Sequence, residues 1–282
     1  MASVTAAAAR PFGGSRFAAA LVAAPVVLAL AHLLPETGLG LAIRLAAAAA
    51  CILVVPGALI LRALGWPASP GVAAAGVLVW SLIVVFAALA VTFATGSSIR
   101  LTIVAIAAAV AASVVPAFVA DAPWPDRAER RAVLWLLLGS VFLAGAVWYA
   151  NRAPVSGDAL FHLARVRKLA DLDSLSLEGV GEFRDGGLHP GYAFPLWHGV
   201  LALIARIGGV DPALVVQHVA AVLTPAAVLV AYGAGAALFR SWGGGIAVAL
   251  AQVAQLGFAR AGTGSFGFLA LPASAARLLV AP

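Results

Sequence analysis

The feature that most constrains this chain is a succession of apolar runs, each about as long as a membrane-crossing helix. Such a helix needs roughly 20 mainly apolar residues. Charged residues make up only 10% of the sequence, against about 25% in soluble domains, and the mean hydropathy is +1.07. We therefore predict an all-α, polytopic transmembrane bundle. Its candidate spans cover 17–34, 41–63, 72–95, 101–120, 132–150, 192–209, 213–239 and 243–259, and a ninth begins near Phe266.

These runs predict two membrane regions with about eight or nine spans in all. Residues 1–131 form an N-terminal four-helix region, and residues 132–282 begin a second region that includes the loop 151–190. The first run also fits a signal peptide, but the many later spans favour an uncleaved helix. Because the sequence ends within an apolar run, we expect it to be the N-terminal portion of a longer protein.

The distribution of arginines predicts the orientation in the membrane. Cytoplasmic loops are enriched in arginine and lysine, and two arginines precede the first span. With alternating spans, the cluster at 127–131, Arg206 and Arg260 are then cytoplasmic, and the loop 151–190 is extracytoplasmic. We expect an integral protein of the bacterial cytoplasmic membrane whose N-terminus is cytoplasmic.

Polar chemistry is concentrated in the loop 151–190. It holds six of the eleven acidic residues of the chain and two of its five histidines. Within it, Ser156 or Asp158 can cap a helix that runs to about Leu172. The spacing of Asp158, His162 and Arg165 places all three on one face of that helix, within roughly 60°.

Two interpretations of this face remain open at the level of sequence. Asp158 can simply cap the helix, and His162 and Arg165 can line a solvated face. Alternatively, a carboxylate beside an imidazole and a guanidinium suits general-base chemistry near a phosphate. The other positions of the helix can lie on the bilayer surface, namely Leu160, Phe161, Leu163 and Val166.

The segment from His189 to His198 leads into the next predicted span. Pro195 suits the first turn of that helix, and Tyr192 and Trp197 are expected to be interfacial anchors. Either histidine can be structural, and His198 is favoured as a site residue because it begins a membrane helix that faces the loop. In the seventh span, His218 is expected to form interhelical hydrogen bonds or, less simply, to have a functional role.

Several function classes are excluded or left open by the same residues. The single cysteine, Cys51, permits neither an intramolecular disulfide nor a cysteine metal site. The net charge of +6 does not indicate nucleic acid, because the basic residues are scattered at span ends. The loop acids can contribute to a divalent cation site for Mg²⁺ or Mn²⁺, but they lack EF-hand spacing. The partners expected are membrane lipids.

The order of these motifs resembles the GT-C superfamily of polytopic membrane glycosyltransferases. The resemblance lies in the external loop entered through Gly157-Asp158, the pattern Asp-x-x-x-His-x-x-Arg, and the run from Pro190 to His198 that leads into the next span. It covers about 132–258 well and 41–66 loosely. The chain differs from many such enzymes because five spans precede the loop, and a second acidic motif in a later loop is missing.

The resemblance implies a function and roles for individual residues. It implies transfer of a sugar from a polyprenyl-phosphate-linked donor to an extracytoplasmic acceptor of the cell envelope. Asp158 matches the loop acid that acts as catalytic base or positions the acceptor. His162, Arg165, His189 and His198 are then expected to contact substrate, with Arg165 a candidate for the lipid phosphate. The alternatives are a non-catalytic membrane assembly subunit and a transporter. The near absence of charged residues in the middle of the spans disfavours the transporter.

Overall fold

The protein is described by a computed structural model over residues 12–66, 70–120, 127–177, 179, 194–258 and 266–280. These residues form helices and no β-strand, which confirms the all-α class. The α-helices are α1 (Phe12–Ala31), α2 (Gly38–Leu53), α3 (Val55–Ala63), α4 (Pro70–Thr95), α5 (Ile99–Val119), α6 (Arg127–Ala150), α7 (Ala159–Asp171), α8 (Leu196–Gly208), α9 (Pro212–Phe239), α10 (Trp242–Phe258) and α11 (Pro272–Ala275).

Five helical segments within the described residues are long and apolar enough to cross a membrane. They are consistent with an integral membrane protein, and each corresponds to a predicted span. The first of them combines α2 and α3. The five segments are Gly38–Ala63, Ala73–Thr95, Ile99–Val119, Glu129–Ala150 and Pro212–Phe239.

The helix α2 breaks at Val54 and resumes as α3, with Pro56 in the first turn of the new segment. Proline lacks the N–H that would continue the hydrogen-bond ladder, so an interruption is expected there. The next residue, Gly57, brings α3 against α4: a Cβ at this position would lie 1.9 Å from the carbonyl oxygen of Val77. The N–H of Gly57 also donates to Ser81 Oγ at 2.9 Å. Only glycine permits this close approach of two backbones.

Several turns between helices meet at one end of the bundle. We call this end the loop side, because the turn at residues 151–158 lies there. The N–H of Leu175, just after α7, donates to the carbonyl oxygen of Ser97 at 2.9 Å. Gln217, near the start of α9, donates to the carbonyl oxygen of Asn151 at 3.0 Å. On the opposite side, Tyr232 in α9 donates to Glu129 in α6 at 3.4 Å.

The sixth predicted span, 192–209, does not form a helix long enough to cross the membrane. Its helix α8 has 13 residues, or about 20 Å of rise, which is short of the roughly 30 Å hydrocarbon core. The turn after α8 also returns to the loop side, because Asp211 lies 3.3 Å from Arg167 of α7. Arg206, near the end of α8, was therefore wrongly predicted to lie on the side opposite the loop. The apolar run 192–209 gave a wrong prediction because a segment buried by protein and a segment buried by lipid have the same apolar composition.

Arg44 links the end of α8 to the turn between α1 and α2. Its guanidinium donates to the carbonyl oxygens of His32 at 2.8 Å and Leu34 at 2.5 Å, and pairs with Glu36 at 3.1 Å. It also donates to the carbonyl oxygen of Gly209 at 3.4 Å. Arg44 thus satisfies the terminal carbonyl groups that a helix leaves without partners. Arg44 therefore has a structural role, with backbone carbonyl groups and the Glu36 carboxylate as its partners.

The ninth span expected from Phe266 is not formed by the described residues. Instead there is a 3₁₀ turn over Phe266–Phe268, then α11, then a π-helical turn over Ala276–Val280. The segment packs on the loop side, where Asn151 donates to the carbonyl oxygen of Gly267 at 3.1 Å. Pro272 starts α11 and prevents one helix from continuing through this sequence.

Candidate functional site

The site is centred on α7, which follows a tight turn after α6. Gly157 has a φ of +61°, a left-handed conformation that glycine adopts without steric cost. Asp158 is the N-cap residue, and the helix ends before Leu172, as the sequence predicts. The buried face of α7 includes His162, Arg165 and Val166 and packs against α8. The helix is therefore held by protein on the face that carries its polar residues.

Asp158 presents an exposed carboxylate beside a buried imidazole. Its side chain is 83% exposed, and Oδ2 lies 3.6 Å from Nε2 of His162, whose side chain is only 3% exposed. Among the described residues, the Asp158 side chain makes no capping hydrogen bond. Asp158 thus occupies the N-cap position of α7, but the capping hydrogen bond considered for its side chain is not formed. A solvent-facing carboxylate with a fixed neighbour is available to a substrate.

His162 and His198 form a buried pair between α7 and α8. Nδ1 of His162 and Nε2 of His198 are 2.8 Å apart, across 36 residues of sequence. The two rings are nearly parallel, at 14°, with centroids 5.1 Å apart. One ring nitrogen must donate and the other accept, so at least one imidazole of the pair is neutral. The geometry aligns Asp158, His162 and His198 in one row that runs from solvent into the protein.

The buried position of His198 favours its neutral form. Burial lowers the pKa of His198 to about 3, and repulsion from His162 in its protonated form and from Arg165 adds to the shift. Removing an imidazolium from water costs free energy, and neighbouring positive charge adds to that cost. At neutral pH, His198 is thus an uncharged hydrogen-bonding partner of His162.

Arg165 is the third residue that the sequence placed on this face. It is 3% exposed, and its guanidinium carbon lies 5.4 Å from the centroid of the Phe161 ring. The predictions of a solvated face for His162 and Arg165, and of a bilayer contact for Leu163 and Val166, are wrong because α7 turns these residues toward α8. The periodicity of a helix defines its apolar face but cannot identify what covers that face.

The segment that begins at Phe266 contributes to the surroundings of the pair. The indole N–H of Trp197, next to His198, donates to the carbonyl oxygen of Ala270 at 2.9 Å. Trp197 is buried, so its predicted role as an interfacial anchor is wrong. The sequence did not indicate this contact because the run from Phe266 was assigned to a span. Pro272 within that run was the signal that could have revealed a turn.

His218 occupies a second buried polar position on the loop side. Its ring stacks on Trp148 with centroids 4.0 Å apart and an angle of 13°. Its Nδ1 has no hydrogen-bond partner among the described residues. The interhelical contact of His218 is therefore a ring stack, and the interhelical hydrogen bond expected at this atom is not formed there.

The segment that contains His189 and Tyr192 lies outside the described residues, and so does part of the predicted cation site. His189, Tyr192, Glu182 and Asp185 are not covered, so the roles expected of them stay predictions. Among the residues that are described, no group of three or more His, Cys, Asp or Glu side chains is arranged to hold a metal ion. The Mg²⁺ or Mn²⁺ site expected from the loop acids includes residues outside this set, so it stays a prediction.

We compared the chain with protein-family models, curated proteins and solved structures, and none of them matched.

Proposed function

We propose that the protein is a membrane glycosyltransferase that moves a sugar from a polyprenyl-phosphate donor to an extracytoplasmic acceptor of the cell envelope. The observation that carries this proposal is the row formed by exposed Asp158 and the buried pair His162–His198. An acid held at the edge of a membrane bundle, with a fixed imidazole behind it, has the parts that general-base catalysis requires.

Asp158 is the general base of the proposed reaction. Its carboxylate takes the proton of an acceptor hydroxyl as that oxygen bonds to the anomeric carbon of the sugar. The bond from the anomeric carbon to the phosphate oxygen breaks, and its electron pair leaves with the polyprenyl phosphate. An exposed carboxylate is reachable by a hydroxyl group, so it can accept the proton without a prior conformational change.

His162 and His198 position the base in this proposal. Nε2 of His162 faces the Asp158 carboxylate at 3.6 Å, the distance of an ion pair, while Nδ1 accepts a hydrogen bond from the neutral His198. That hydrogen bond sets which nitrogen of His162 carries a proton, so His198 acts on the acid through His162. Arg165 supplies positive charge beneath the same face, which favours the anionic leaving phosphate.

The position of the site in the fold suits a lipid-anchored donor. The helix α7 and the turns that hold it lie at the loop side of a bundle whose other helices are apolar. A polyprenyl chain would stay in the bilayer while its phosphate reaches the interface, so the reacting bond needs a site at that depth. An assembly subunit needs no solvent-facing acid supported by buried imidazoles.

Reconstituted protein tests the proposal directly. The full chain in liposomes is given a radiolabelled polyprenyl-phosphate sugar and an acceptor that bears a free hydroxyl. Sugar transfer, with release of polyprenyl phosphate in equal amount, is the expected result. Absence of both products across a panel of sugars and acceptors would favour the non-catalytic assembly subunit.

A further inference from the structure

A groove opens between α6, α9 and α10, far from the site around Asp158. Its volume is about 630 Å³, within the roughly 300–1,000 Å³ range of ligand pockets. The walls are mainly apolar and include Leu143, Val228 and Leu250, with Gly139 on its α6 wall. In a membrane bundle a groove of this kind faces acyl chains rather than water.

One end of the groove is polar and aromatic. Arg131 lies there in the second turn of α6, and Trp242 is the first residue of α10. The hydrogen bond from Tyr232 to Glu129 joins the same ends of α9 and α6, so this end is on the side opposite Asp158. Tryptophan and arginine at a helix end are typical of the level of lipid headgroups.

The length of the groove fits one leaflet. Along α6 the lining residues extend from Arg131 to Leu143, which is about 18 Å of rise. Half of the hydrocarbon core is roughly 15 Å. The groove can therefore accommodate a chain that starts at headgroup level beside Arg131 and ends near the middle of the bilayer.

We propose that this groove binds an anionic phospholipid from the leaflet opposite the Asp158 site. The phosphate pairs with the Arg131 guanidinium, which has no ion-pair partner among the described residues, and one acyl chain lies over Gly139. A guanidinium suits a phosphate because it can donate two parallel hydrogen bonds. A Cβ added at Gly139 would meet nothing within 4 Å, so the wall is open where the chain passes. This binding does not depend on the proposed transferase activity.

Lipid-dependent thermal stability tests the proposal on the purified full chain in detergent. We expect phosphatidylglycerol to raise the Tm in a saturable manner. Phosphatidylcholine with the same acyl chains and inorganic phosphate should each give a much smaller shift. An equal shift with phosphatidylcholine, or with inorganic phosphate alone, would overturn the assignment to an anionic phospholipid.

Two matched pairs of variants separate the groove from general effects. Arg131→Gln should raise the half-saturating phosphatidylglycerol concentration about tenfold, whereas Arg130→Gln removes the same charge outside the groove lining. Gly139→Leu should abolish the lipid response, whereas Gly145→Leu adds the same side chain to open space elsewhere on α6.

Each pair can contradict the proposal. Equal effects of the two arginine variants would indicate nonspecific attraction to anionic headgroups. An unchanged lipid response in Gly139→Leu would show that no acyl chain occupies the groove. A dimer in lipid-free detergent that Gly139→Leu disrupts would assign the groove to a second copy of the chain instead.

Discussion

At the scale of single residues, the contact between His162 and His198 determines how Asp158 is presented. A 2.8 Å hydrogen bond joins two imidazoles that are each at most 2% exposed. Two buried polar groups satisfy each other in this way, and loss of one partner leaves the other with its desolvation penalty. The pair thus fixes the ring against which the exposed carboxylate lies.

The lowered pKa of His198 predicts a pH dependence of stability. In the unfolded chain this imidazole titrates near the ordinary histidine pKa of 6.5, whereas in the folded protein it stays neutral down to about pH 3. The unfolded state therefore binds more protons below pH 6.5, so the contribution is complete above that pH and is lost as the pH falls toward 3. Between pH 6.5 and pH 5 the loss should be roughly 2 kcal/mol.

The measurement is the free energy of unfolding across this pH range for the full chain in detergent. His198→Gln is the comparison variant, because glutamine can still hydrogen-bond but cannot be protonated. We expect the variant to have a shallower slope than the parent protein. Identical slopes would show that His198 does not stay neutral in the folded state.

At the scale of helices, the sequence predicted some elements well and others poorly for physical reasons. The long apolar runs predicted α4, α5, α6 and α9, because a span of about 20 residues leaves few alternatives. The sequence predicted the bounds of α7 from the position of Asp158 and from the polar periodicity, although the Asp158 side chain makes no capping hydrogen bond. The sequence could not predict whether α8 crosses the membrane, because its apolar residues can be buried by α2 and α7 as well as by lipid. The contact of His198 with His162 depends on that packing.

The α3–α4 contact gives a sharp packing prediction. Gly57→Ala should destabilise the bundle by about 1–3 kcal/mol, as overpacking typically does, because the new Cβ would overlap the Val77 carbonyl oxygen. Gly139→Ala should instead stabilise α6 by up to about 1 kcal/mol, since alanine is the better helix former and the site is open. Thermal unfolding of both variants provides the comparison, and equal effects would contradict the backbone approach at Gly57.

At the scale of the whole molecule, the elements that surround the candidate site all lie on the loop side. The helix α8 returns to the loop side, so α7, the start of α9 and the segment from Phe266 surround a common region. A crossing α8 would reverse α9 and would separate Gln217 from the carbonyl group of Asn151. The fold therefore depends on one helix that does not cross.

Cysteine labelling tests this arrangement. Cys51→Ala removes the single cysteine, and new cysteines are then placed one at a time at Ala153, Asp211 and Ser241. A membrane-impermeant maleimide should label Ala153→Cys and Asp211→Cys from the same side, which we expect to be extracytoplasmic, and Ser241→Cys from the other. If Asp211→Cys instead labels with Ser241→Cys, α8 crosses the membrane.

The most direct test of the proposed chemistry compares two acids of the same loop. Asp158→Asn removes the base but keeps the shape of the side chain, and Asp173→Asn makes the same change at an exposed acid beyond the end of α7. With sugar transfer as the readout, we predict a loss of about 10²–10⁴-fold in kcat for Asp158→Asn, the typical contribution of a general base, and near-parental activity for Asp173→Asn. Parental activity in Asp158→Asn would contradict the assignment of Asp158 as the catalytic base.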